Sequence, residues 1–190
     1  MIINIPLRAI RISIILLLFG SLIHSSFAQQ VPFAEVVPFV TTPMEVVEAM
    51  LDMAEVRSDD VLYDLGSGDG RIPIAAAQKF GIRAVGIEID PDLVELALRQ
   101  AQEGRVADKV YFLQGDIFEM DFSEASVLTL YLFPDINLQL YPKLMDLAPG
   151  TRIVSHKYPI EGWEPEKTRT IEDSEGNEHK VYKWTVPKRQ

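Results

Sequence analysis

Val61-Leu62-Tyr63-Asp64-Leu65-Gly66-Ser67-Gly68-Asp69-Gly70-Arg71 decides how the rest of this 190-residue chain is read. Val61 to Leu65 is an apolar run of strand length, Gly66 to Gly70 is a glycine cluster, and Arg71 to Phe80 has helical character ended by Gly81. Pro73 is compatible with that helix because a first-turn N–H has no intrahelical partner to lose. A strand, a glycine turn and a helix in this order open a doubly wound α/β unit, whose ligands lie beyond the carboxyl ends of the strands.

Downstream, the pattern repeats. Ala84 to Ile89 reads as a second strand, and Asp90-Pro91 opens a helix carrying Leu93, Val94, Leu96, Ala97 and Ala101 inward as far as Gly104. Further strands are expected at Val110–Leu113, Ala125–Leu132 and Arg152–Ser155, with a helix at Asn137–Leu147 interrupted in its periodicity by Pro142. Strands alternating with helices imply a mostly parallel sheet with right-handed crossovers. The tail differs, because Lys167–Glu172 and Lys180–Val186 flank Asp173-Ser174-Glu175-Gly176-Asn177, the signature of an antiparallel hairpin. Upstream, Thr42 is the expected N-cap and Pro43 the first residue of a helix presenting Val46, Val47, Met50, Leu51 and Ala54, up to Val56. Residues 29–44 form an extended lead-in, and residues 45–190 the folded domain.

Residues 1–28 are different material. Arg8 and Arg11 precede the apolar run Ile12 to Phe19, and Ser26 and Ala28 supply small residues at a cleavage-like end. This reads as a secretory signal or, alternatively, as a short membrane anchor, since a full span wants roughly 20 apolar residues. Positive charge stays on the cytosolic side, so export is favoured over a cytosolic-side anchor.

Composition narrows the function. The chain has no Cys, which excludes disulfides, a thiolate nucleophile and a zinc-thiolate centre, and His24, His156 and His179 are too far apart in sequence to suggest a metal cluster. Formal charge is −10, and becomes −12 once the leader with its two arginines is removed. An acidic surface repels phosphate backbones, so nucleic acid is not the expected partner. No Gly-x-Ser-x-Gly elbow surrounds a serine, which argues against a hydrolase built on Ser155 and His156.

The glycine cluster selects among nucleoside ligands. Glu88, at the end of the second strand, is placed to accept hydrogen bonds from ribose hydroxyls. A diphosphate needs a helix N-terminus clear of negative charge, whereas this loop has Asp64 at its entrance and Asp69 inside it. The spacing also departs from G-x-G-x-x-G, and no Gly-Lys-Ser/Thr ending is present. Two carboxylates suit a ligand carrying an ammonium and a sulfonium, which is S-adenosylmethionine.

Asp64-Leu65-Gly66-Ser67-Gly68-Asp69-Gly70, Glu88 and Gln114-Gly115-Asp116-Ile117 resemble the cofactor motifs of class I S-adenosylmethionine-dependent methyltransferases. The resemblance implies a Rossmann-like fold in which Asp64 orients the ammonium side, Glu88 binds the ribose and Asp116 takes the adenine amino group, with Gly66, Ser67, Gly68, Gly70 and Ile117 completing the cofactor site. A narrower resemblance is carried by Pro38-Phe39-Val40-Thr41-Thr42-Pro43, by the glycine loop through Arg71-Ile72, and by Arg152-Ile153-Val154-Ser155 with Trp163-Glu164-Pro165. These segments are similar to a small family of membrane-associated protein-lysine methyltransferases whose eukaryotic members act on mitochondrial proteins. That resemblance implies N-methylation of lysine on a protein partner.

An acceptor mouth is expected at the end of the fourth strand, in Tyr131-Leu132-Phe133-Pro134-Asp135. Tyr131 and Phe133 are its candidate walls, although aromatic residues at a strand end also fill cores. Asp135 either attracts the substrate or starts the following helix. The Asn/Asp-Pro-Pro-aromatic signature of base-amine methylation is absent, because Leu132 offers no side-chain acceptor. Trp163 is expected to pack the hairpin on the sheet. Two rival classes stand beside the protein-lysine reading: a small-molecule methyltransferase, for which the domain has little enclosing wall, and a non-catalytic exported module retaining the fold.

Overall fold

The computed structural model describes residues 40–188. The expected leader at residues 1–28 and most of the lead-in at 29–44 lie outside the described residues.

Among the described residues, eleven elements follow one another: α1 (Met44–Met53), β1 (Val61–Leu65), α2 (Arg71–Phe80), β2 (Arg83–Glu88), α3 (Pro91–Glu103), β3 (Val110–Gln114), β4 (Val127–Leu130), α4 (Pro134–Met145), β5 (Arg152–His156), β6 (Lys167–Glu172) and β7 (Glu178–Thr185). They build one seven-stranded sheet in the order β3-β2-β1-β4-β5-β7-β6. β1 to β5 are parallel, and β7 runs antiparallel to both β5 and β6. The α/β reading with a C-terminal antiparallel hairpin is therefore correct. Strand order reverses at β1, which pairs with β2 on one side and β4 on the other, and that reversal opens a crevice at the carboxyl ends.

Alternation along β1 separates two cores. Leu62 packs with Val46, Met50 and Ala76 on the side of α1 to α3, while Tyr63 and Leu65 pack with Leu140, Leu144 and Trp184 on the side of α4. Trp163 joins the second core, its carbonyl accepting a 2.8 Å bond from Trp184 Nε1, as expected of a packing residue.

Several boundaries differ from those read in the sequence. Pro43, not Thr42, is the N-cap of α1, and no side chain caps that end; the Thr42 hydroxyl is instead 3.2 Å from His156 Nδ1. The helix stops at Met53, and Arg152 donates to the carbonyls of Ala54 (3.1 Å) and Glu55 (2.8 Å) just beyond it. β4 spans only Val127–Leu130, because Ser126 is turned to bond Asp60 at 2.7 Å and Phe133 already leads into α4. α4 begins at Pro134, three residues early, since Pro is preorganised for the first helical position. Smaller shifts place β2 at Arg83–Glu88, extend β3 to Gln114 and β5 to His156, and start β7 at Glu178.

At the amino ends of the strands, Arg152 pairs with Asp60, which also accepts from Arg57 N (2.6 Å) and Ser126 Oγ. Burial pushes the Asp60 carboxyl up, but hydrogen bonds from Ser126 and Arg57, together with the Arg152 guanidinium, outweigh it and hold the carboxyl below its ordinary range. This closed network leaves the opposite, carboxyl end as the face for ligands. Among the described residues, no helix is long and apolar enough to cross a membrane.

Candidate active site

The glycine loop is hooked onto β2. Gly66 N and Ser67 N both donate to Ile87 O, at 2.9 and 3.0 Å, and Gly70 N closes the turn on Ser67 O at 2.9 Å. Gly70 has φ +79°, and a Cβ there would lie 2.4 Å from Phe112 Cζ, so the position demands glycine on both counts. Ser67 turns inward onto Gly86, and its buried hydroxyl has no partner among the described residues.

Asp64 lies under the loop, 3% exposed, with its Oδ1 accepting a 2.7 Å bond from Thr129 Oγ1. Burial pushes its carboxyl up to about 7; Glu88 and Asp69 add to the rise while Thr129 opposes it. Asp69 corrects the charge argument drawn from the loop. Its carboxylate is engaged by Arg71, with Nε 3.0 Å from Oδ1 and Nη2 2.6 Å from Oδ2, so it is not a free negative charge facing a ligand. A second arm of Arg71 donates to Thr42 O at 2.8 Å, tying the loop to the segment before α1.

Glu88 staples the loop from below. Its Oε2 accepts from Gly68 N at 2.9 Å, and its Oε1 from Ile89 N at 2.8 Å and Asp90 N at 3.0 Å. A carboxylate has about four lone-pair sites, so three such bonds leave one for a ligand hydroxyl. Asp116 follows β3, half-buried, with Oδ1 taken by Phe118 N at 2.9 Å. The loop carrying Asp116 and Ile117 is held from α4, where Lys143 Nζ donates to the carbonyls of Ile117 (3.2 Å), Phe118 (3.1 Å) and Met120. Asp64, Gly66, Gly68, Gly70, Glu88, Asp116 and Ile117 thus gather on the β1–β2–β3 half of the carboxyl face, while Ser67 serves the loop from inside.

Across the switch point, Leu132 touches the loop: a Cβ on Gly66 would sit 2.9 Å from its Cδ2. Tyr131 and Phe133 flank it, and the sequence reading missed the residue that joins them. Tyr158 lies 6.4 Å from Tyr131 and 5.8 Å from Phe133, ring centroid to centroid. Phe133 is 37% exposed, so this group reaches the surface. Asp135 is exposed in the first turn of α4, where a carboxylate complements the helix dipole.

Behind Tyr131 runs a hydrogen-bonded chain that spacing along the sequence concealed. The Tyr131 ring is 4.1 Å from that of His156. His156 Nε2 is 2.9 Å from His179 Nδ1, and His179 Nε2 is 2.9 Å from Asp173 Oδ2. The carboxylate fixes the direction of the chain. His179 donates to Asp173 and accepts from His156, which in turn accepts from the Thr42 hydroxyl. Burial pushes His156 down to about 4, with His179 and Lys157 acting the same way, so the ring is neutral at physiological pH. The bond from His179 holds the Asp173 carboxyl well below the usual range, helped by Asn177.

The ANTKMT methyltransferase domain matches residues 64–167 of the chain. A protein-lysine N-methyltransferase of Saccharolobus islandicus is 44% identical over 152 residues, covering 79% of this chain and 94% of that protein. An adenine nucleotide translocase lysine N-methyltransferase of Mus musculus is 34% identical over 139 residues, or 72% of this chain, which spans 60% of the mouse protein. Among solved structures, that of an RNA methyltransferase from Salinibacter ruber in complex with S-adenosyl-L-homocysteine superposes with a TM-score of 0.73 at 55% identity, over 80% of this chain and 96% of that one.

Proposed function

The chain belongs to the ANTKMT methyltransferase domain family and is a methyltransferase; on that premise we propose that it uses S-adenosylmethionine to N-methylate a lysine side chain of a protein. The observation that carries the acceptor is the match to a protein-lysine N-methyltransferase over 94% of that protein's length. The residues present fit the cofactor. Asp64 would offer a carboxylate to the ammonium, Glu88 would give its remaining acceptor site to a ribose hydroxyl, Asp116 would take the adenine amino group, and the tight turn at Gly66 to Gly70 would let the cofactor approach the backbone.

When bound, S-adenosylmethionine supplies a methyl group on a sulfonium, an already good leaving group. The chain's own task is to align a neutral amine and keep water away. Tyr131, Phe133 and Tyr158 line the approach, and apolar surroundings favour an amine that has released its proton. Neutral His156 beneath Tyr131 adds no positive charge to oppose an incoming ammonium.

RNA is the second reading, favoured by the likeness to the Salinibacter ruber RNA methyltransferase. The formal charge of −10 weighs against it, since it disfavours phosphate backbones. Radiolabelled S-adenosylmethionine, incubated with the purified chain and either a membrane-protein extract or total RNA, tests the choice. Label on lysine nitrogen after protein hydrolysis supports the proposal; label confined to RNA refutes it.

The leader, with Arg8 and Arg11 before Ile12 to Phe19, directs the domain to a membrane in this reading, with export favoured over a cytosolic-side anchor. An alkaline phosphatase fused after Gln190 tests the side. It is active if the domain is exported, and inactive but membrane-bound if the leader is a cytosolic-side anchor.

A further inference from the structure

Tyr158 belongs to no motif, yet the backbone is strained to place it. Lys157 has φ +67°, and Tyr158 N donates to His156 O at 2.8 Å, closing a three-residue turn of the rare strained kind. Such conformations persist only where their surroundings enforce them, and they cluster at functional sites. Here Lys157 N donates to Lys180 O at 2.7 Å, while Ser155 Oγ (2.6 Å) and Asn137 Nδ2 (3.4 Å) both donate to Tyr158 O. The turn aims the Tyr158 ring between Tyr131 and Phe133. Above it, 5.4 Å from the ring centroid, stands the ammonium of Lys157. That charge also reaches Tyr131, where it opposes the rise that burial imposes, and His156, where it adds to the fall set by burial. The acceptor side of the crevice therefore already holds an alkylammonium against an aromatic face, within the range of a cation–π contact.

We infer that Tyr158 is a substrate-binding wall of the acceptor mouth, forming with Tyr131 and Phe133 an aromatic recess for an alkylammonium head, and that Lys157 occupies this recess until the acceptor displaces it. The inference rests on the lysine reading for the choice of cation. Ring faces are negative, so the recess attracts an ammonium and its N-methylated forms over a neutral group of equal shape. Held on its strained turn, Tyr158 offers this face with little freedom left to lose when a substrate enters.

Choline and its uncharged isostere 3,3-dimethylbutan-1-ol, titrated into the full chain while the tyrosine ring signals are followed by NMR, test the recess. The expected result is binding of choline at least about fivefold tighter than the isostere, weakened about three- to tenfold by Tyr158→Leu and largely restored by Tyr158→Phe. Lys157→Met, which removes the resident ammonium at an exposed position, should tighten choline by a similar factor. Tyr111→Leu, on β3, should change nothing. Equal affinity for choline and the isostere overturns the inference, as does unchanged binding in Tyr158→Leu. Should Tyr158→Leu fail to fold by circular dichroism, Lys157→Met carries the test, and affinity no higher than the parent's overturns it. If methyl label goes only to RNA while choline binding depends on Tyr158, the lysine reading fails and the recess stands; if protein lysine is labelled while choline binding ignores Tyr158, the recess alone fails.

Discussion

His156 and His179 are bonded ring to ring, Nε2 to Nδ1 at 2.9 Å, joining the end of β5 to β7 behind the acceptor mouth. Such a chain is satisfied while His156 is neutral. Its pKa of about 4 in the fold lies below the ordinary 6.5, so the unfolded chain binds the extra proton first as pH falls.

Stability should therefore drop between about pH 6.5 and pH 4, by as much as about 3 kcal/mol from this group. Urea unfolding across that window checks it. His156→Gln should remove this share of the slope, and a mutant with the parent's slope would assign the pH dependence to other groups.

Asp64 acts in the opposite sense. Its carboxyl, pushed up to about 7, keeps its proton in the fold while the unfolded chain has released it, so this contribution is present below about pH 4 and lost as pH rises through 7. An ammonium ligand needs the carboxylate. Calorimetry should show S-adenosylmethionine affinity rising by up to about tenfold per unit below pH 7 and levelling above it, with uptake of protons by buffer near pH 6. Asp64→Asn should flatten the profile; a flat profile in the parent would place the ammonium elsewhere.

Glu88→Gln should weaken cofactor binding by about 1–3 kcal/mol, the usual loss for charge-assisted hydrogen bonds. The amide also turns its N–H₂ toward either the Gly68 donor or the Ile89 and Asp90 donors, so thermal stability should fall with it. Unchanged affinity would remove Glu88 from the binding site and leave it as a loop staple.

Gly70→Ala should cost about 2–4 kcal/mol of stability, from the left-handed backbone and the clash with Phe112 together. A double-mutant cycle with Phe112→Leu should return part of that cost. Strict additivity would show that the ring does not press on this glycine.

What could be read locally was read to the residue. β1 and α2 have the expected bounds because an apolar run, Gly70 and Gly81 mark them within the chain itself. The hairpin turn at Asp173 to Asn177 follows from its own turn residues, Asp173 accepting from Glu175 N and Asn177 N. The misreadings arise where distant residues decide. Arg71 stands two positions from Asp69, but only the fold turns its side chain back onto that carboxylate. His156 and His179, 23 positions apart, meet through the antiparallel β5–β7 pairing, whose register no local pattern states. Tyr158 becomes a neighbour of Tyr131 and Phe133 through a positive φ at a lysine, a conformation that residue type does not announce.

Thr42 is held twice, by Arg71 at its carbonyl and by His156 at its hydroxyl. Mechanically, it is the rivet through which a pull on the chain N-terminal to it enters the domain. Load applied there divides between the Arg71–Asp69 pair, beside Gly68 and Gly70, His156 at the end of β5, and the peptide bond into α1. Immobilising the protein through its N-terminus therefore loads the cofactor loop together with β5, whereas a handle on the C-terminal side of β7 enters through the sheet and bypasses the Thr42 tie.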